Sequence, residues 1–290
     1  MKENILILGG DKRQLYAADR FSEKGYNVEI YGFSQLSSSD FPQKFNIAAS
    51  LCDAIKSADI VVLPMPVSRD NITLNAPLYD GIIKMEDVFS YLKESKKVYG
   101  GMVGDDFAKN GIDITDYLKS EELLIKNALL TAEGTLSIVI SSTPFGIMNE
   151  KILITGYGRI GKILAGCIKA LGGIPVVCAR NEKDFSWCAV KGIEHICYED
   201  LKNLIGDFKV IVNTVPYKVI TKDLAEKINT DCFFVDLASK GGGVDFETLE
   251  KRNIRYTHAL GIPGKYSPKT AGEIISDVIL KKEKGLKTFG

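Results

Sequence analysis

"KILITGYGRIGKILAG", residues Lys151 to Gly166, decides the fold. An apolar strand pattern runs into Gly156, Gly158 and Gly161, and a helix pattern follows at once. Each glycine of this G-x-G-x-x-G spacing has a distinct use. The first permits a tight turn, the second lets the backbone approach a pyrophosphate, and the third lets helix and strand pack closely. The helix N-terminus then offers unpaired N–H groups to the anion. Arg159 and Ile160, between the second and third glycines, join the candidate cofactor-binding set.

Strand patterns surround this turn at Lys151–Thr155, Ile174–Cys178, Glu194–Cys197, Val210–Asn213, Cys232–Asp236 and Ile254–His258, with helical patterns between them. Six strands with crossover helices predict a full Rossmann domain. The chain opens in nearly the same way: "NILILGGDKRQLYAADRF", Asn4 to Phe21, runs from an apolar strand into Gly9-Gly10 and a helix, but lacks the third glycine. Strand patterns at Ile5–Leu8, Val28–Tyr31, Asp59–Leu63 and Lys97–Tyr99 continue it. The expected fold class is therefore α/β: two Rossmann-like doubly wound parallel-sheet domains joined by a helical linker. The expected division is a substrate domain over 1–119, a linker over 120–146, a dinucleotide domain over 147–268 and a closing helix over 269–290. Within the linker, "TAEG" predicts a helix restart capped by Thr131, with Glu133 in its first turn.

Bulk composition narrows the function. The chain has 290 residues, 45% hydrophobic and 26% charged, which suits about two globular domains. Thirty-seven basic side chains balance 37 acidic ones, so a nucleic-acid partner is not expected. No apolar run is expected to approach the ~20 residues of a membrane helix, and the N-terminus lacks a signal-peptide core, which makes cytosol the default. The six cysteines lack C-x-x-C spacing and read as small buried hydrophobes. With two histidines, His195 and His258, and no tight ligand cluster, no metal site is expected.

The second strand of the dinucleotide domain bears on the cofactor. It ends "VVCARNEKD", with no carboxylate to take a ribose diol. Arg180, 24 residues after Gly156, with Asn181 and Lys183 beside it, suits a 2′-phosphate. NADP is the expected cofactor, with NAD as the alternative. "VNTVP" brings Thr214, Val215 and Pro216, "VDLASKGGGVDF" brings Ala238, Ser239 and Lys240, and "ALGIPGKYSPKTAG" brings Gly261 with Lys269 and Thr270. All these segments follow strands, at the sheet edge where a Rossmann ligand lies.

With "LGGDKRQ", "TAEG", "GYGRIG", "NTVP", "DLASKGGGVDF" and "GIPGKYSPKTAG" read together, the chain resembles the A-subunit family of dipicolinate synthase from spore-forming bacteria along essentially its whole length. The last two segments carry most of that resemblance. It implies oxidation of dihydrodipicolinate, derived from 4-hydroxytetrahydrodipicolinate, to the aromatic pyridine dicarboxylate, with NADP as hydride acceptor. It also implies a partner, the flavoprotein B-subunit of dipicolinate synthase, and action in the mother-cell cytoplasm during sporulation. A homo-oligomer stays open.

A dicarboxylate substrate needs cations or N–H donors. The glycine turn at Gly9-Gly10, with Lys12 and Arg13, reads as a nucleotide site turned carboxylate site. The expectation is that the first domain holds substrate and the second NADP, with reaction in the cleft between them. Arg13, Arg69, Lys240 and Thr270 are the substrate-binding candidates, and Glu133, Lys269 and His258 the catalytic ones. Each also has a plain structural reading: surface charge, helix complement, cap or core histidine. His195 falls on the adenine side and is set aside. Two rivals stand beside this reading. One is a 2-hydroxy- or amino-acid dehydrogenase, weakened by the lack of an obvious carboxylate partner for either histidine. The other is a non-catalytic NADP-binding scaffold for the flavoprotein.

Overall fold

The computed structural model describes residues 2–35, 45–92, 96–238 and 243–285. The chain divides into two compact units, one of residues 1–126 with 267–290 and one of residues 127–266.

In the first unit, strands β1 (Asn4–Leu8), β2 (Asn27–Tyr31), β3 (Asn46–Ile47), β4 (Ile60–Val62), β5 (Lys97–Gly100) and β6 (Ile114–Asp116) form one sheet in the order β3-β2-β1-β4-β5-β6, paired parallel throughout. Strands β3 and β6 escape the sequence reading because neither NI nor ITD belongs to an apolar run like the one that marks β4. One face of the sheet packs Leu6, Leu8, Val61 and Val98 onto Ala54, Ile55, Val88 and Phe107. The helices Lys12–Glu23 and Pro268–Glu283 pack on one another, and Arg20 Nε meets Asp277 Oδ1 at 3.0 Å. The last helix thus completes the first unit, and its Glu283 carboxylate takes hydrogen bonds from Lys97 and Tyr99.

In the second unit, β7 (Lys151–Thr155), β8 (Ile174–Ala179), β9 (Glu194–Cys197), β10 (Val210–Asn213), β11 (Phe233–Asp236) and β12 (Arg255–His258) pair in the order β12-β11-β10-β7-β8-β9, again all parallel. Both units therefore carry the same winding, with the second and third strands on one side of the first strand and the fourth to sixth on the other. Side chains alternate across the sheet, as strand geometry requires. Ile152, Ile154, Val210 and Val212 face a layer with Leu164, Ile168 and Val139, while Leu153, Ile211 and Phe234 face Leu201, Ile228 and Leu249. Cys178, Cys188 and Cys232 are buried and all six cysteines are free. Burial pushes the Cys178 and Cys232 thiols up to about 12, so they pack as hydrophobes.

Two expectations need correction. The helix Glu121–Ser142 is unbroken, so Thr131 caps nothing: its Oγ1 donates to the Asn127 carbonyl at 2.7 Å inside the helix. A mid-helix threonine turns its hydroxyl back on the preceding turn when no chain end asks for it. The same 22-residue helix, with a window of mean hydropathy 1.5, is long and apolar enough to cross a membrane by length and composition alone. Half of that window is buried inside the molecule, as in a core helix.

Tyr117, in the turn after β6, is fully buried, and its hydroxyl donates to the Leu63 carbonyl at 3.1 Å. Tyr117→Phe leaves that carbonyl without its donor, at a cost of about 1–3 kcal/mol. The expected outcome is a melting temperature several degrees lower with an unchanged circular-dichroism spectrum; an unchanged melting temperature refutes the assignment.

Candidate functional site

In the second unit the three glycines do three different things. Gly156 has φ +92°, and a Cβ on it would stand 2.7 Å from Thr214 Oγ1 and Val215 Cγ2. At Gly161 a Cβ would stand 2.3 Å from the Gly156 carbonyl oxygen, so the helix Arg159–Ala170 lies against the turn as only glycine allows. Around Gly158, the N-cap of that helix, nothing lies within 4 Å of a Cβ position. The first and third glycines close the turn and the second leaves an open cradle at a 12-residue helix N-terminus. That is the geometry a pyrophosphate needs. Arg159 is exposed and Ile160 half-buried at the start of this helix.

Cys178 and Ala179 are buried, and Arg180, the next residue, is exposed. Arg180 lies near Tyr198, whose hydroxyl burial pushes up to about 12 against the pull of that guanidinium. Asn181 is committed elsewhere: as N-cap of the helix Glu182–Val190 it accepts from Asp184 N at 2.8 Å and donates to the Asp184 carboxylate at 2.9 Å. Asn181 is thus primarily a cap, since its short amide reaches the first-turn N–H groups of its own helix. His195 stacks on Phe185 at 5.0 Å.

A polar row crosses the carboxyl edge of the second sheet. Thr155, Asn213, Asp236 and His258 are the last residues of β7, β10, β11 and β12, and the register sets each beside the next. Thr155 Oγ1 donates to Asn213 Oδ1 at 2.5 Å, and Asn213 Nδ2 donates to Asp236 Oδ1 at 2.8 Å. His258 Nε2 stands 3.6 Å from Asp236 Oδ2 and 3.2 Å from the Ala238 carbonyl. The sequence reading found no carboxylate for a histidine because Asp236 and His258 are 22 residues apart and meet only through strand pairing. Thr214 donates to the Thr155 carbonyl, Val215 N donates to Asn213 Oδ1, and Ala238 N donates to Asp236 Oδ1, so the loops after β10 and β11 hang from this row. Pro216 and Gly261 (φ +67°) are exposed beyond it. Asp245 caps the helix Phe246–Lys251, and Lys218 and Thr248 hold its carboxyl down to about 2.

The first unit uses the same opening differently. A Cβ on Gly9 would stand 2.8 Å from Leu74 Cδ2 and 3.2 Å from Ala76 Cβ, and one on Gly10 would stand 2.7 Å from the buried side chain of Gln14. The loop after β4 and the protein's own glutamine fill the space. The helix N-terminus is also taken, because Asp11 caps it by accepting from Arg13 N at 3.0 Å. Arg13 is no open cation: Nε and Nη2 pair with the Asp11 carboxylate at 2.9 Å each, and Nη2 also donates to the Met65 carbonyl at 2.8 Å. An internal carboxylate occupies the place the sequence reading gave to substrate. Arg69 differs: it is exposed on the loop after β4, with a 3.3 Å hydrogen bond to Asn75. In the turn beside it, N–H donation from Thr73 and Ile72 holds the Asp70 carboxyl well below its usual range.

The remaining candidates lie on other elements. Glu133 is exposed and lies thirteen residues into its helix rather than in a first turn, so the helix dipole gives it no role. Only its first-turn reading fell with the Thr131 restart. Lys269 and Thr270 are exposed in the first turn of the closing helix and belong to the first unit. Ser267, not Thr270, is the N-cap there. Ser239 and Lys240 lie outside the described residues.

Residues 4–132 match the family of N-terminal domains of the dipicolinate synthase A-subunit. Along 96% of its length the chain is 26% identical to the dipicolinate synthase A-subunit of Bacillus subtilis strain 168, covering 94% of that protein. The crystal structure of the dipicolinate synthase A-subunit from Bacillus halodurans superposes with a TM-score of 0.86 at 27% identity, with 97% of each chain covered. Escherichia coli D-lactate dehydrogenase shares the fold, with a TM-score of 0.60 at 13% identity and 98% of each chain covered. The chain is thus similar to the dipicolinate synthase A-subunit over its whole length, and its two-sheet architecture is that of dehydrogenase-like Rossmann proteins.

The cradle separates two substitutions. Gly158→Ala meets open space and is expected to melt like the wild type while losing at least tenfold in nucleotide affinity. Gly161→Ala drives a methyl into the Gly156 carbonyl and is expected to cost about 1–3 kcal/mol, lowering the melting temperature without nucleotide present. Thermal melts with and without NADP check both.

Proposed function

We propose that this relative of the dipicolinate synthase A-subunit is the nicotinamide-dependent oxidoreductase that converts dihydrodipicolinate to dipicolinate with NADP. The observation that carries the reading is the contrast between the two glycine turns: the first is filled by the protein's own side chains, and the second is open at Gly158. Gly156, Gly158 and Gly161 fit a pyrophosphate, Arg180 a 2′-phosphate, and Thr214, Val215, Pro216, Ala238 and Gly261 the ribose and nicotinamide half. When bound, the cofactor supplies hydride acceptance. The protein's part is to position the ring and take up the proton released as the ring becomes aromatic.

Among the catalytic candidates His258 fits that proton best, since it is the solvent-side member of the polar row, with its side chain 32% exposed. Of the two arginine candidates we assign a substrate carboxylate to Arg69, which is exposed, because Asp11 and the Met65 carbonyl hold Arg13. We assign a flavoprotein partner and action in the sporulating mother cell on the strength of the similarity alone. The Asp236–His258 pair also favours a second reading, a 2-hydroxy-acid dehydrogenase, because such enzymes pair a histidine with a carboxylate to move the hydroxyl proton.

A coupled assay decides between them. The upstream synthase product is supplied with the purified chain and NADP or NAD, with and without the flavoprotein, and reduced cofactor is followed together with pyridine dicarboxylate absorbance. Both signals are expected to rise together with NADP and the chain alone. Product only with the flavoprotein, without reduced cofactor, overturns the reading, and turnover of simple 2-hydroxy acids instead selects the second one. Arg180→Asp is expected to weaken NADP binding at least tenfold more than NAD binding in a titration; equal losses refute the 2′-phosphate role.

A further inference from the structure

Asp236 is wholly buried, yet only one of its carboxylate oxygens is used. Oδ1 accepts from Asn213 Nδ2 at 2.8 Å and from Ala238 N at 3.2 Å. Oδ2 is buried and has no hydrogen-bond partner. A buried carboxylate oxygen without a donor costs free energy, so its surroundings call for explanation. Among the described residues, the cation-forming group paired with that oxygen is the His258 imidazole, with Nε2 at 3.6 Å.

We propose that Asp236 is a positioning residue for His258, and that the chain Thr155–Asn213–Asp236 fixes the imidazole with its proton on Nε2 and a bare lone pair on Nδ1. This rests on the proposed function for its catalytic meaning, although the tautomer is a property of the chain itself. The geometry sets the direction. Nε2 faces two acceptors, the Ala238 carbonyl at 3.2 Å and Asp236 Oδ2 at 3.6 Å, so Nε2 carries the hydrogen. Asp236 cannot rotate away, because Oδ1 is held by a side chain and a backbone amide. Asn213 cannot turn either: its Oδ1 accepts from Thr155 Oγ1 at 2.5 Å and from Val215 N at 3.1 Å, and its Nδ2 also donates to the Val215 carbonyl at 3.1 Å. The Phe246 ring, 5.6 Å from the imidazole centroid, packs beside it.

The register explains why this is one device rather than four contacts. Cα partners on neighbouring parallel strands present their side chains to the same face. Four strands ending on the same row thus line up a hydroxyl, an amide, a carboxylate and an imidazole at the carboxyl edge, where a Rossmann ligand lies. The proton step balances within the pair: the substrate–hydrogen bond breaks, its electron pair stays with the ring, and the proton bonds to Nδ1. The resulting imidazolium faces the Asp236 side chain. His258 then returns the proton to solvent.

The chain has two histidines, so ¹⁵N-labelling of histidine gives two ring systems, with His195 as the internal control. At a pH where the imidazoles are neutral, wild-type His258 is expected as the Nε2–H tautomer. Asp236→Asn keeps an acceptor for Asn213 and Ala238 but turns an NH2 toward the ring. The Nδ1–H form of His258 is then expected to rise at least threefold while His195 stays unchanged. An Nδ1–H wild type, or the same tautomer in both proteins, overturns the proposal. In turnover, Asp236→Asn is expected to lower kcat at least tenfold with the NADP KM within twofold. His258→Ala is expected to recover part of its kcat with added imidazole, and to do so less when combined with Asp236→Asn. Equal loss in kcat and NADP affinity marks a structural role and also overturns it. If the wild type oxidises no substrate, the proposed function fails while the tautomer spectrum still decides the pair.

Discussion

A helix can rest its first turn on the carbonyl of Gly156 only because residue 161 has no side chain. A methyl group there would stand 2.3 Å from that oxygen. This contact fixes where the helix Arg159–Ala170 begins and leaves its N-terminus facing outward from the sheet. The open space at Gly158 and the hanging loops at 214–216 and 236–238 are then arranged around it. The binding chemistry proposed for the second unit depends on that one close approach, because a helix displaced by a side chain carries its N–H groups away from the cradle.

The first unit shows what the same winding does when the approach is not kept free. Its sheet order is the same, and its glycines also have positive φ, but Leu74, Ala76 and Gln14 occupy the space. Asp11 neutralises the helix end and Arg13 neutralises Asp11. A closed ion pair at a helix N-terminus satisfies the same electrostatics that a bound anion would, which is why a phosphate-like motif persists without an open phosphate cradle. The repeated opening is a repeat of topology, not of binding geometry.

At the same carboxyl edge of the second sheet, four strands end in polar side chains. Buried polar groups survive there because each is bonded to the next: Thr155 to Asn213, Asn213 to Asp236. The chain ends on His258, the half-exposed member, so the row runs along the carboxyl edge from buried side chains to an accessible one. That direction makes it a suitable support for proton transfer, since rigidity comes from inside and access from outside.

The sequence by itself determined the strands of the second unit, the glycine turn and the missing carboxylate at the end of β8. These are local properties: apolar periodicity, backbone freedom and residue identity act over a few neighbours. It could not show that Thr131 lies mid-helix, because a capping residue and a back-bonded one look alike until the helix start is known. Nor could it show β3 and β6, which exist through pairing rather than pattern. Only the tertiary structure decided that Arg13 belongs to Asp11 and Met65, that the last helix completes the first unit, and that Asp236 meets His258. Each is a contact between segments separated in the chain, and register or packing, which no local spacing encodes, sets the distance.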